Sequence, residues 1–368
     1  MPAKTYKVAV IGRTGKGNYG HGLDTVWLGM ENVEIVAVAD ENEKGLAAAA
    51  TRLKPKNTYA DFKQMLEKEK PQIVSVADRW LDCHHDMVIA CAQAGASIFV
   101  EKPLCRTLQE ADEMIAACEK HHVKCAIAHQ TRYSPRLKVV KDLIGEGKLG
   151  DILELRGRGK EDTRGGGQDL MVLGTHILDL MRFVSGDARW CFSRIWQDGK
   201  KALPGDIRAG GEEMGPIQGD RLFAEYGFDN MAIGTFATQK AKDGIGSRFA
   251  LHIMGSKGVI QLTTGSVAPA YFLADPSWMP GKSKVEWQEI TSAGVGKPEP
   301  LKVDGGQALG NKLIAQDLID AIEKDRQPMG SIYDGRASLE MILAVYESHK
   351  LERPVDLPLK NRKHPLGM

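Results

Sequence analysis

Within the first 130 residues, the segments 7–11, 33–39, 73–77, 97–100 and 123–128 are short, apolar and rich in Val, Ile and Ala. None alternates with polar residues, so each reads as a strand covered on both faces. Helical patterns separate them, over 43–53, 61–68, 84–94 and 107–121. Asp61 and Thr107 suit N-cap positions, and Glu110 completes a capping box with Thr107. Strand and helix alternating in this way imply an α/β, Rossmann-type doubly wound parallel sheet.

The pattern changes near Gln130. A helix is expected over 135–145, a strand over 151–156, then a charged glycine-rich loop to Gln168 and a mostly buried helix over 170–184. Leu222–Tyr226 and Ala232–Phe236 flank Asp229-Asn230, and 248–253 and 259–262 flank Gly255–Gly258. These are hairpin signals and point to antiparallel pairing. Helices over 307–323 and 335–349 close the chain. A length of 368 residues suits two domains, divided as the doubly wound domain over 1–130 and an α+β domain over 131–368.

The first strand runs into Gly12-Arg-Thr14-Gly15-Lys-Gly17-Asn-Tyr-Gly20-His-Gly22, and a helix is expected through Val26 to about Met30. Glycines let backbone approach a pyrophosphate, and a helix N-terminus attracts its charge. The Gly-x-Gly-x-x-Gly spacing fails from Gly12, where Thr14 takes the second glycine's place, but fits from Gly15 through Gly17 to Gly20. Asp40 ends the second strand, about 20 residues on, where an acid accepts ribose hydroxyls and repels a 2′-phosphate. NAD is therefore expected, with NADP disfavoured. Arg79-Trp80 follows another strand end, where a doubly wound sheet forms its ligand crevice.

Other chemistries find little support. The 49 basic and 48 acidic residues leave a formal charge of +1, which calls for neither nucleic acid nor an anionic membrane. No apolar run approaches the roughly 20 residues that span a bilayer, and no signal-peptide pattern is seen, so a cytoplasmic location is expected. The six cysteines form no Cys-x-x-Cys pair and read as reduced, structural thiols. No zinc-type cluster accompanies His84-His85, so no metal is expected, and His121-His122 suits a helix C-terminus. Neither a Gly-x-Ser-x-Gly elbow nor a P-loop is present.

Several motifs together resemble the Gfo/Idh/MocA oxidoreductases, named for glucose–fructose oxidoreductase and inositol dehydrogenase. They are Ala92-Gln-Ala-Gly95, Glu101-Lys102-Pro103, Arg132-Tyr133-Ser-Pro135, Gly147-Lys-Leu-Gly150, Gly174-Thr-His176-Ile-Leu-Asp179, Gly255-Ser-Lys-Gly258 and Tyr346-Glu-Ser348, in that order over nearly the whole chain. The resemblance implies a second domain with a large, mostly antiparallel open sheet, often a dimer interface, and a cis Lys102-Pro103 bond. It also implies that Lys102 and His176 face the substrate beside the nicotinamide. The family often has an aspartate four residues before the histidine. Here that position is Val172, and the nearest acid on that side is Asp169.

The sequence thus reads as an NAD-dependent oxidoreductase moving hydride between nicotinamide and a secondary alcohol or ketone of a sugar, cyclitol or glycoside. His176 would exchange the hydroxyl proton and Lys102 would stabilise negative charge on the oxygen, with Asp169 as a third catalytic candidate. Gly12, Thr14, Gly15, Gly17, Gly20, Asp40, Arg79, Trp80, Glu101 and Lys102 are expected to hold the cofactor. Arg132, Arg164, Asp169, Lys102 and His176 are expected to hold substrate. A homodimer or homotetramer is expected. One alternative is a redox-neutral sugar-processing enzyme with tightly bound, recycled NAD. Another is a nucleotide-binding protein without activity.

Overall fold

The computed structural model describes residues 5–241, 248–301 and 307–368. From Val8 onward β1 (Tyr6–Ile11) buries every side chain, as a strand sandwiched between helices must. It lies within a six-stranded sheet with β2 (Val33–Ala39), β3 (Asn57–Tyr59), β4 (Ile73–Val76), β5 (Ser97–Val100) and β6 (Cys125–Ile127). The order is β3-β2-β1-β4-β5-β6, and every neighbouring pair is parallel. Strand order reverses between β1 and β4, the position at which such sheets open a ligand crevice.

The helices between these strands start at side-chain caps. α1 (Glu43–Leu53) begins where Asn42 accepts from the Gly45 amide, and α2 (Phe62–Glu69) where Asp61 accepts from the Lys63 amide. α3 (His84–Gln93) has no side-chain cap. α4 (Leu108–Lys120) is capped by Thr107, which accepts from the Glu110 amide. The Glu110 carboxylate reaches the Arg106 amide (2.8 Å), one residue earlier than a capping box requires.

The helix expected after the glycine-rich loop does not form. Residues 21–29 make successive turns. Gly22 (φ +84°) and Gly29 (φ +76°) are both left-handed, so the right-handed helical path is interrupted at both ends of this run.

The chain divides into two compact units. The first joins residues 1–128 and 212–214 to 307–336, and the second holds 129–211, 215–306 and 337–368. Residues 307–336, placed from sequence in the second domain, belong with the first. Their helix α9 (Ala308–Glu323) packs on β5 and β6.

In the second unit, α5 (Pro135–Gly145) precedes β7 (Ile152–Arg158), α6 (Gly167–Val172), α7 (Gly174–Ser185) and β8 (Ala188–Gln197). The short strands β9 (Lys200–Lys201), β10 (Arg208–Ala209) and β11 (Pro216–Ile217) lead to the hairpin β12 (Arg221–Phe228)–β13 (Ile233–Gln239). A second hairpin joins β14 (Ala250–Gly255) to β15 (Gly258–Thr263). Then come β16 (Ala270–Leu273), α8 (Pro280–Ser283), β17 (Gln288–Thr291) and β18 (Gly294–Val295), and the chain closes with α10 (Ile332–Leu351) and β19 (Val355–Asp356).

Among the described residues this unit's main sheet has 11 strands, ordered β18-β17-β16-β15-β14-β7-β13-β12-β8-β19, with β9 on β8. Only β7–β13 is parallel among these pairs. One sheet face is covered by helix. A Cβ on Gly157 in β7 would lie 2.4 Å from Ile177 and 2.7 Å from Met181, so α7 rests on strand backbone there. The expected continuous helix over 170–184 is two helices, because the axis resets at Leu173, which ends α6 and starts α7.

Candidate functional site

In the first unit, a cavity of 480 Å³ opens at the carboxyl ends of β1 and β2, lined among others by Gly12, Arg13, Asp40, Asp61, Asp82 and Cys83. The Asp40 carboxylate is 2% exposed. It accepts from the Thr14 amide (3.1 Å), the Thr14 hydroxyl (2.6 Å) and the Asn42 amide (3.0 Å). The acid thus organises the loop before it meets any ligand. Counting Glu41, Asp86, Lys16 and Lys63, the lining has five carboxylates against three cationic side chains. Such a lining accepts a ribose diol more readily than a 2′-phosphate.

The glycines of the loop have steric work. A Cβ on Gly17 would lie 1.8 Å from Asp78 Oδ1, and one on Gly20 would lie 2.5 Å from Glu101 Oε1. A Cβ on Gly12 would enter the Tyr19 ring, at 2.3 Å. Gly15 is exposed with nothing near its Cβ position. The loop therefore lies across the ends of β1, β4 and β5. With residues 21–29 in turns, no helix N-terminus stands behind it, which corrects that part of the sequence reading. Arg79 Nε donates to the Gly17 carbonyl (3.1 Å), so Arg79 supports the loop, and Trp80 contributes its amide to Asp78 Oδ1 (2.9 Å).

Sequence reasoning missed Asp78, the residue that gathers these contacts. It is fully buried, lies 3.2 Å from Arg13 Nε and accepts from the Cys83 thiol (3.1 Å). Arg13 also grips Asp82 with two hydrogen bonds (3.0 and 3.1 Å). Burial pushes the Asp78 carboxyl above its usual range, against the pull of the Trp80 amide and the Cys83 thiol. A carboxylate at the end of β4, beside Arg79-Trp80, was the available signal.

Lys102 follows β5. It is 5% exposed, and its bond to Pro103 is cis, as the resemblance implied. The fully buried Glu101 accepts the Lys102 amide (2.9 Å) and lies 2.6 Å from His21 Nδ1. Burial would raise the Glu101 carboxyl, but the His21 hydrogen bond and the charges of His21 and Lys102 outweigh it and hold the group low. His21 is a second contact that sequence spacing did not reveal.

In the second unit, His176 sits in the first turn of α7 and is 8% exposed. Its ring centre lies 5.6 Å from that of His129 and 6.2 Å from that of Phe249. Asp179, one turn on, is buried and accepts from Arg132 Nε (2.7 Å). Burial opposes its ionisation, yet the charges of Arg132 and His129 hold its carboxyl far below the usual range. Arg132, expected to bind substrate, is thus committed to an internal ion pair, with its guanidinium over Phe183 (5.3 Å).

Asp169 is fully buried in α6 and accepts from the Lys160 amide (3.3 Å), the Glu161 amide (3.1 Å) and the Thr238 hydroxyl. A Cβ on Gly159 would lie 2.0 Å from its Oδ2. Burial raises this carboxyl, against those hydrogen bonds. Its contacts make it a tether for the 159–166 loop, and the break at Leu173 puts it on a different helix from His176. Arg164 pairs with Asp162 in that loop (2.6 Å), which lowers the Asp162 carboxyl to about 2. Arg164 also lines a 310 Å³ polar cavity with Gln168, Gln197, Arg208 and Lys240.

Among the described residues, no group of His, Cys, Asp and Glu could hold a metal ion, and no helix is long and apolar enough to cross a membrane. The crevice at the switch point and the acid at the end of β2 fit a dinucleotide.

Comparison with known proteins agrees. The chain is 24% identical to a D-apiose dehydrogenase of Paraburkholderia graminis over 378 residues, covering 96% of this chain and 90% of that protein. It is 26% identical to a levoglucosan dehydrogenase of Pseudarthrobacter phenanthrenivorans over 247 residues, 61% of this chain and 63% of the relative. A solved levoglucosan dehydrogenase, in complex with NADH and levoglucosan, shares the fold with a TM-score of 0.75 at 21% identity, covering 97% of this chain and 100% of that one. Family models match residues 6–129 as an oxidoreductase-family, NAD-binding Rossmann fold and residues 141–357 as that family's C-terminal alpha/beta domain. The chain belongs to the Gfo/Idh/MocA family of NAD-binding oxidoreductases.

Proposed function

We propose that the protein is an NAD-dependent dehydrogenase that interconverts a secondary alcohol and a ketone on a sugar, cyclitol or glycoside. The observation that carries this reading is Lys102, a buried lysine beside the buried Glu101 at the end of β5, in a chain of this family. When bound, the nicotinamide supplies a two-electron hydride acceptor or donor. Thr14, Gly15, Gly17 and Asp40 hold the cofactor, with Arg79 and Glu101 bracing the loop. Lys102 donates a hydrogen bond to the reacting oxygen and stabilises the negative charge that develops there. His176 takes the hydroxyl proton on an imidazole nitrogen during oxidation and returns it during reduction. Asp169 acts at one remove, by fixing the loop that carries Arg164.

The sheet face away from the helices supports self-association. Its registers set Tyr271, Gln261, His252, Arg156, Thr235, Glu225 and Phe192 in one row across six neighbouring strand pairs. Phe223 (40% exposed) stands in the next row, facing Arg194. Aromatic side chains on an open face gain by being covered, and a homo-oligomer covers them.

Nicotinamide absorbance followed over a panel of sugars, inositols and glycosides tests the reaction. In Lys102→Ala and His176→Ala, turnover should fall by about 10²–10⁴ with NAD binding intact. Near-normal turnover in both variants would overturn the assignment. Cofactor that stays bound through purification and cycles without net reduction would point to the redox-neutral alternative.

A further inference from the structure

We propose that His129 is the positioning residue for His176, fixing the first turn of α7 and offsetting the Asp179 carboxylate that stands one turn from the base. The role rests on the reading of His176 as the proton-exchanging group.

His129 is 1% exposed and immediately precedes the 3-10 turn Gln130–Tyr133. Both of its ring nitrogens face polar atoms of α7. Nε2 lies 3.1 Å from the Thr175 hydroxyl, and Nδ1 lies 3.2 Å from Asp179 Oδ1, an ion-pair contact too bent for a hydrogen bond. Thr175 precedes His176 and Asp179 follows it by one turn. One imidazole therefore touches the helix on both sides of the base, and its ring meets that of His176 at a centroid distance of 5.6 Å and an angle of 60°. This is more contact than packing alone requires.

The charges give that contact a second role. Residues three apart on a helix are neighbours, so an uncompensated Asp179 would favour the protonated form of His176 and remove the base. Arg132 Nε (2.7 Å), the Ser338 hydroxyl (3.4 Å) and His129 Nδ1 are what face this carboxylate. At 3.2 Å from a carboxylate oxygen the Nδ1–H tautomer is favoured over a bare nitrogen, because two opposed lone pairs would repel. On the side of Phe249, Arg248 is bound to Glu161 (2.7 Å), and Asp169 is occupied by the Glu161 amide and Thr238. Asp179 and the groups that offset it therefore contribute to the balance at His176.

The test uses the full-length protein. In His129→Phe, which keeps an aromatic ring and loses both nitrogens, NMR of labelled histidines should show the His176 titration midpoint rising by about 0.5–1 pH unit. The His176 signal is assigned by its loss in His176→Ala. The acid limb of kcat/KM should move up with it, and kcat at neutral pH should fall up to about tenfold, with NAD affinity unchanged. His129→Gln, which restores a donor, should recover part of both shifts. An unchanged midpoint in folded His129→Phe overturns the proposal. If that variant does not fold, an unchanged midpoint in both His129→Gln and Thr175→Val overturns it. Should His176→Ala keep its turnover while His129→Phe still moves the midpoint, the catalytic reading fails and the pairing of the two histidines stands.

Discussion

Asp179→Asn should be among the most damaging single substitutions in the second unit. The Asp179 side chain is 2% exposed and its partner Arg132 is 7% exposed. The substitution leaves the guanidinium buried beside a neutral amide, and loss of one member of a buried pair costs about 3–5 kcal/mol. For a unit of this size each kcal/mol is worth about 2–4 °C of melting temperature, so a loss of about 6–20 °C is expected. The pH dependence supplies an independent check. A depressed carboxyl adds stability above its unfolded value, near 3.9, and loses it as pH falls through the folded value. Since the folded value is far below the usual range, the gap between wild type and Asp179→Asn should be full at pH 7 and narrow as pH falls below about 4. Arg132→Met combined with Asp179→Leu should cost less than either single change, because no charge is then stranded. Urea unfolding at several pH values, fitted for midpoint and slope, measures all of this. A loss under about 1 kcal/mol for Asp179→Asn, or a gap that does not narrow in acid, would refute the account of the pair.

Two further outcomes are expected. Asp40→Ala should weaken NAD and narrow its preference over NADP, measured as dissociation constants by nucleotide fluorescence; tighter binding of NADP than NAD by the unmodified protein would contradict the carboxylate-rich lining of the cavity. Phe223→Glu should shift the mass seen by light scattering toward the monomer if the open sheet face carries the assembly, and an unchanged oligomer would place the interface elsewhere.

The parallel sheet was legible because Val8–Ile11, Ile73–Val76 and Ser97–Val100 are covered on both faces and carry no polar alternation. The two hairpins were legible from Asp229-Asn230 and Gly255–Gly258. What escaped was set by tertiary contact. Nothing in the spacing from Gly20 to Met30 says that Gly22 and Gly29 both adopt left-handed backbone and suppress a helix. Lys102 and His176 were nominated through motifs, whereas Asp78, His21 and His129 hold their neighbours through contacts between segments far apart in sequence. Asp169 and Arg132 were expected to meet substrate, but the side chains that occupy them, Thr238 and Asp179, lie on other elements or a full motif away. Residue type marks a polar group as costly to bury, and only the fold says what satisfies it.

The return of residues 307–336 to the first unit has a consequence for synthesis on the ribosome. Tyr6 in β1 donates its hydroxyl to Glu323 (3.1 Å), Asn311 donates to the His21 carbonyl (2.8 Å), and the Ile127 amide at the end of β6 donates to the Gly330 carbonyl (2.9 Å). The nucleotide-binding sheet is therefore translated early and completed late. At about 5–20 residues per second, roughly 10–40 s separate emergence of its last strand from arrival of its covering helix. Throughout that interval the part of β5 and β6 that α9 covers lacks its partner on the nascent chain. The yield of folded protein therefore depends on how that surface is kept from aggregating until the late helix arrives.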